Sequence, residues 1–271
     1  MNSLDGLDMG IDAGRQHYEP GDSLYDHPLV DRILDYFLDM ENADRLRQRH
    51  YEIMVEDAEL CEGFDHNRFL DTLVRRISLH SVLHSGERDA EPYDKIQYMI
   101  NPVVKALYSR GFNGFFLDLR DFPSILWMGG LLEGTPDNPL RLSYLGDVHT
   151  FASGTRHVII SYKGKANHVG AESYMSELIV SGRTQYAGVG ARDCVLRFPD
   201  SQGPESWYEC MVRWRPPGML DPQNCTYYVK SLKEGFSGGV RWQKFLLDGN
   251  SIHVLHNVLH TKSGKYERVM A

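Results

Sequence analysis

The side chains in this sequence that could carry out chemistry are mainly histidines, and one pair lies in a segment of helical periodicity. His80 and His84 are four residues apart, so both project from one side of a helix. Two histidines in this arrangement can begin a zinc site, and the sequence places no third ligand beside them. The alternative, and the commoner role, is that both belong to the exposed polar face of an amphipathic helix.

A second group of histidines lies near the C-terminus, at His253, His256 and His260. On a helix, spacings of three and seven residues place all three on one stripe, where they could bind zinc. On a strand, His253 and His256 belong to opposite faces, and the segment fits a hairpin as well as a helix. Zinc is therefore the only cofactor that we consider, and ordinary surface histidines are the alternative.

A glycine recurs every 18 residues, at Gly146, Gly164 and Gly182. The sixth residue after each glycine is small, and the twelfth, fourteenth and sixteenth are mostly apolar. Because these last three positions are two apart, they lie on one face of a strand. A repeat this short cannot bury its apolar face alone, so it predicts about four stacked coils of a β-solenoid, with the glycines at corners. The predicted inward ladder consists of Ile160, Leu178 and Leu196.

The predicted fold class is α+β, with an N-terminal helical bundle, a short single-stranded β-solenoid of 18-residue coils and a small α/β C-terminal cap. Apolar residues at helical spacing predict four helices within residues 27–111, and the solenoid covers 112–200. Residues 201–271 form the cap region. Residues 1–26 have few apolar side chains and predict a mobile leader.

Several residues predict local structure within these parts. Pro102 should kink or split the fourth helix, and Gly111 should end it. Residues 240–247 fit a short helix of the cap. Aromatic residues concentrate after the solenoid, where they either cap the last coil or form a protein-binding surface. These aromatic residues are Trp207, Tyr208, Trp214 and Trp242.

The composition argues against several classes of protein. The 271-residue chain has a formal net charge of −8 and no run of Lys or Arg, so we expect no nucleic-acid partner. No apolar stretch approaches the ~20 residues of a membrane helix, and the N-terminus lacks the basic start and apolar stretch of a signal peptide. We therefore expect a cytoplasmic protein with no membrane partner, in which the four scattered cysteines are free, buried thiols.

The glycine repeat resembles that of the right-handed β-helix found at the C-terminus of glutamate synthase and in one of the subunits of formylmethanofuran dehydrogenase. In that family the β-helix is largely a scaffold, so the resemblance implies no catalytic chemistry. Asn167 and the pair Ser176-Glu177 stand where the family has glycines. The whole layout also resembles uncharacterised archaeal proteins. The residues that match the repeat are Gly164, Gly170, Ile179, Val180 and Gly182.

Counted in sixes, the same stretch is similar to the hexapeptide repeat of left-handed β-helix acyltransferases, whose coils also have 18 residues. That resemblance implies a trimer with a catalytic histidine between subunits. His168 is the candidate general base, and His149 and His157 are the other coil histidines. However, the repeat would direct His157, Lys163 and Asp193 into the core, where an unpaired charge is very costly. All three histidines also fit as polar residues of the coil surface.

These patterns favour a non-catalytic protein over an enzyme. We expect a scaffold or protein-interaction protein built on the solenoid, with a protein partner or self-association. An acyltransferase that uses His168 and a histidine-rich metal-binding protein are the alternatives. No cofactor is expected except zinc in the last case.

Overall fold

The chain forms four helices followed by ten strands within the residues that the computed structural model describes. Residues 1–24 of the predicted leader and most of the predicted cap region lie outside these residues. The described residues are 25–38, 48–84, 92–120, 122, 125–198, 224–229, 242–247 and 252–257.

The helices begin and end where local sequence signals place them. Pro28 starts the first helix, because its fixed φ suits a first turn. Asp65 caps the third, since its Oδ1 accepts hydrogen bonds from the backbone N–H groups of Asn67 and Arg68 at 3.1 and 3.0 Å. The helices are α1 (Pro28–Leu38), α2 (Gln48–Glu56), α3 (His66–His84) and α4 (Pro92–Ser109).

The fourth helix passes through Pro102 without a break, so Pro102 does not split it, which was one of the two predicted effects. Buried side chains on both sides of the proline, Ile100 and Val104 among them, hold the two halves against one core. Gly111 ends the helix as predicted, with a φ of 97°. The N–H of Phe112 donates to the carbonyl of Leu107 at 3.1 Å, which is the Schellman arrangement.

The helices contact one another and the first strands of the sheet. Arg110 joins the ends of α2 and α4, because its guanidinium donates to the backbone carbonyls of Val55, Glu56 and Ala58. Helix α3 contacts β1 (Gly114–Asp118), and α4 contacts β2 (Ile125–Met128). Buried apolar residues of helices and strands form one continuous core. Among the described helices, none is both long and apolar enough to cross a bilayer.

The strands after the helices form a β-solenoid of about three turns, where the sequence predicts about four. Its strands pair in parallel. They are β3 (Leu140–Leu145), β4 (Val148–Phe151), β5 (Val158–Val169), β6 (Glu177–Ala187) and β7 (Val195–Phe198).

The prediction of a single-stranded solenoid is wrong, because each coil contributes strands to more than one β-ladder. The first face consists of β1, β3, β7 and the first halves of β5 and β6. The second face consists of β2, β4 and the second halves of β5 and β6. Single bridges join successive coils on a third side. Eighteen extended residues span ~60 Å, so a coil must turn corners to return to its start. The bridged residues are Glu133, Arg156, Tyr174 and Arg192.

The predicted inward ladder is confirmed. Ile160 pairs in register with Leu178, and Leu178 pairs with Leu196, so like positions of successive coils stack. All three side chains are fully buried. Leu142 extends the ladder by one coil, because it pairs with Ile160. The 18-residue period therefore sets the register of the sheet.

The repeated glycines lie where the first face turns into the second. Alternate residues point inward up to Tyr162, and the inward phase resumes at Ala166. At this corner the backbones of Gly146 and Gly164 approach so closely that a Cβ on Gly164 would overlap the Gly146 carbonyl.

Two other turns of each coil use a positive φ. The first falls on the predicted small position, at Ala152, Gly170 and Gly188. The other falls on residues with full side chains, which adopt this conformation only when the surrounding structure imposes it. These residues are His157, Met175 and Asp193.

The described C-terminal segments are strands, so the predicted helix at 240–247 is wrong. They are β8 (Thr226–Val229), β9 (Trp242–Leu247) and β10 (Ile252–Asn257). Strand β8 extends the first face in parallel from β7, and β10 pairs antiparallel with both β8 and β9. Pairing along all six residues of β9 outweighs the local preference that suggested a helix.

The cysteines agree in part with the prediction of free, buried thiols. Cys194 and Cys225 are buried thiols outside any disulfide, whereas the Cys61 thiol is exposed in the turn after α2. Cys210 lies outside the described residues. Cys194 and Cys225 lie on neighbouring coils, since the N–H of Thr226 donates to the Cys194 carbonyl at 2.9 Å. The hydrogen bond between the two thiols lowers the pKa of Cys194 and raises that of Cys225.

Candidate functional site

The second face presents two outward side chains from each coil, placed between two inward ones. Because the coils stack in register, these side chains form two columns along the solenoid. None of the eight is Lys, Arg, Asp or Glu. One column consists of Leu126, His149, Asn167 and Gln185, and the other of Trp127, Thr150, His168 and Tyr186.

The second face has large apolar or aromatic side chains at both of its ends. Leu126 and Trp127 are 42% and 46% exposed and adjacent on β2, so they form a small exposed apolar patch. At the other end, Tyr186 is half-buried and stacks on the ring of His168, with 4.8 Å between centroids and 22° between planes. The arrangement offers flat rings for contact with a partner.

Two of the predicted coil histidines lie together on this face. The ring centroids of His149 and His168 are 5.9 Å apart. Burial lowers the pKa of His168, and the nearby His149 lowers it further. The neutral imidazole of His168 is therefore favoured at neutral pH, where its ring can stack or accept a proton.

A groove runs along the solenoid axis at one border of the second face, and we call it the axial groove. It has a volume of about 330 Å³ and crosses three coils. Its floor is the backbone of buried residues whose side chains point into the core, between two rows of outward side chains. The floor residues are Val148, Ala166 and Thr184, one wall is Asp147, Lys165 and Arg183, and the other is His149, Asn167 and Gln185.

The first wall of the axial groove carries an excess of positive charge. Lys165 and Arg183 pair in register on neighbouring coils, and both are exposed. Asp147 lies one coil earlier, and its Oδ1 accepts a hydrogen bond from the backbone N–H of Lys165 at 2.9 Å. The wall therefore presents two cations and one carboxylate along its length.

The structure does not gather the other predicted site residues here. His157 lies at a different corner, beside Tyr174 with 6.3 Å between ring centroids. His80 and His84 lie in the last turns of α3. His253 and His256 lie on β10, which is the strand alternative, so their positions belong to opposite faces. His260, Trp207, Tyr208 and Trp214 lie outside the described residues.

A search of the described residues finds no group of three or more His, Cys, Asp or Glu side chains that could hold a metal ion. The hexapeptide resemblance would also direct Lys163, Met175 and Asp193 inward, and all three are exposed. The side chains follow the 18-residue glycine pattern instead. No known protein family, curated protein or solved structure matches the chain.

Sequence reasoning missed the axial groove and the exposed Trp127. The signal was present, because Asp147, Lys165 and Arg183 each follow a repeated glycine by one residue. Comparing the outward positions of the repeat, and not only the inward ones, would have shown a column of charge. Trp127 lies in a coil that precedes the first repeated glycine, Gly146, so the glycine spacing gives no register for it.

Proposed function

We propose that this protein is a non-catalytic scaffold that binds another protein through the second face of its solenoid. The observation that carries the proposal is the pair of half-exposed apolar side chains, Leu126 and Trp127, within a face that has no acidic residue, Lys or Arg among its described outward positions. Interface cores are depleted of charge, and Trp and Tyr dominate binding hot spots. The scaffold role of the glycine-repeat β-helices that the chain resembles supports the same function.

The rigidity of the coil stack adds to this argument. Parallel ladders fix the backbone under both outward columns, so the backbone loses little freedom when a partner binds. In this proposal the helical bundle caps the first coil and the C-terminal strands cap the last, which leaves the lateral faces for binding. The proposal also includes the predicted cytoplasmic location.

The experiment is quantitative affinity capture from the native cell extract, with the wild-type chain and the double variant Trp127→Ala/Tyr186→Ala. Loss of two hot-spot aromatics should weaken binding of a true partner by about 30-fold or more, equivalent to about 2 kcal/mol. The matched control is Phe116→Ala/Tyr174→Ala, which removes aromatic side chains from the first face and the third side. If every captured protein is retained equally by the wild type and both variants, binding through the second face is refuted.

A specific observation also favours the acyltransferase alternative. His168 has a lowered pKa and lies beside His149, so it is neutral and able to accept a proton. This function requires a trimer that places His168 in a cleft between subunits. Analytical ultracentrifugation tests it, because a monomeric mass would exclude the alternative. Elemental analysis of the purified chain for stoichiometric zinc tests the metal-binding hypothesis.

A further inference from the structure

We infer that the axial groove binds an extended acidic segment of a polypeptide. This inference rests on the proposed function, because the segment belongs to the bound partner. It concerns the groove walls, whereas the scaffold proposal depends on the aromatic residues of the second face.

The shape of the groove fits a chain better than a compact ligand. The groove crosses three coils, and coils stack ~4.8 Å apart, so its length is about 10 Å. Three residues of an extended peptide span the same distance at ~3.3 Å per residue. The side chains of Ala166 and Thr184 point into the core, so their backbone forms a floor along which a peptide backbone can lie.

The charge of the first wall selects carboxylates. Like charges directly opposite on neighbouring strands repel, and Lys165 and Arg183 are in this position. Lys163 adds a third exposed cation at the same corner of the coils. A carboxylate between Lys165 and Arg183 would be attracted by both cations, and a guanidinium can bind a carboxylate with two parallel hydrogen bonds.

The second wall suits the backbone of the same segment. Asn167 carries an amide, which donates and accepts hydrogen bonds as a peptide group does. Gln185 carries another, whose Nε2 donates to the hydroxyl of Tyr186 at 3.2 Å and whose Oε1 is an acceptor. His149 continues this wall toward the first coil and adds a third polar side chain. A peptide in the groove would therefore place acidic side chains on one wall and backbone amide groups on the other, which distinguishes it from a simple phosphate ion.

The test is a titration of a fluorescein-labelled glutamate decapeptide with the full chain, followed by anisotropy at low and high salt. We expect saturable binding that weakens as salt rises. The variant Lys165→Glu/Arg183→Glu should lower the affinity at least about tenfold. The control Arg141→Glu/Arg192→Glu makes the same change in net charge on other sides of the solenoid and should stay within about twofold of wild type. If the charge-reversal variant unfolds, the neutral variant Lys165→Gln/Arg183→Gln is titrated in its place.

Three outcomes would overturn the inference. They are no binding of the peptide, equal loss in the control, and equal competition by inorganic pyrophosphate, which would make the groove a general anion site. Failure of this inference is distinguishable from failure of the scaffold proposal. A partner whose capture depends on Trp127 and Tyr186 but not on Lys165 and Arg183 would support the scaffold and overturn the acidic segment. A peptide that binds the groove while no captured protein depends on the second face would overturn the scaffold alone.

Discussion

Replacement of Gly164 by alanine should destabilise the solenoid strongly, because there is no room for a methyl group at this corner. A Cβ at Gly164 would lie 2.7 Å from the carbonyl carbon of Gly146 and 2.9 Å from the hydroxyl of Tyr162. Carbon atoms pack best at roughly 3.5–4.0 Å, so the two coils must separate by about 1 Å. The neighbouring hydrogen bond from the N–H of Gly146 to the carbonyl of Lys163, now 3.0 Å long, would break.

Overpacking costs about 1–3 kcal/mol and a lost hydrogen bond about 1 kcal/mol, so we expect Gly164→Ala to lower the free energy of unfolding by about 3 kcal/mol. For a chain of this size the melting temperature should fall by about 6–12 °C. The assay is urea unfolding followed by circular dichroism, with the slope against urea concentration compared between variants.

Gly114 provides the matched control on β1. A Cβ there meets no atom within 4 Å, and its φ is not positive. Gly114→Ala should be neutral or stabilising by about 0.4–1 kcal/mol, because alanine reduces the entropy of the unfolded chain. If Gly164→Ala unfolds within about 1 kcal/mol of wild type with an unchanged slope, the steric argument for the repeated glycines is refuted.

Three further predictions concern titratable and buried polar groups. The Tyr162 hydroxyl is buried without a hydrogen-bond partner, so Tyr162→Phe should stabilise the fold by about 1 kcal/mol in urea unfolding; destabilisation would contradict this. NMR titration should show the pKa of His168 below its ordinary value and rising in His149→Ala, whereas no change would contradict coupling of the two rings. Folding lowers the pKa of His168, so the neutral ring contributes to the free energy of unfolding. This contribution is fully present above the ordinary histidine pKa and is lost as the pH falls toward the pKa of the folded state. In a variant whose other two cysteines are replaced by serine, Cys194 and Cys225 should not react with a thiol reagent until the chain unfolds, and rapid reaction of the native protein would refute their burial.

The core of the solenoid could be predicted from the sequence because two periods coincide there. A period of two residues marks the inward side of a strand, and a period of 18 stacks Ile160, Leu178 and Leu196. Both periods follow from residue type alone. The corner at Gly164 was predictable for the same reason, since close backbone approach leaves few choices of residue.

Other features depend on contacts between distant parts of the chain. His157, Met175 and Asp193 adopt a positive φ that is uncommon for residues other than glycine, and the three share no residue type, so no local pattern marks this turn. Strand β9 exists because β10 pairs with it, and neither segment shows that pairing by itself. The axial groove arises where inward residues lie between two rows of outward side chains, and only the stacking of coils aligns these rows.

The axial groove has a modular construction. Each of the three coils that form it supplies one residue to the floor and one to each wall, in the order Asp147-Val148-His149, Lys165-Ala166-Asn167 and Arg183-Thr184-Gln185. Duplication of one 18-residue unit would lengthen the groove by ~4.8 Å, and deletion would shorten it equally. The length of segment that such a protein recognises, and the order of charges along it, would then change in whole coils. Recognition could thus diversify by copying units, without redesign of the core.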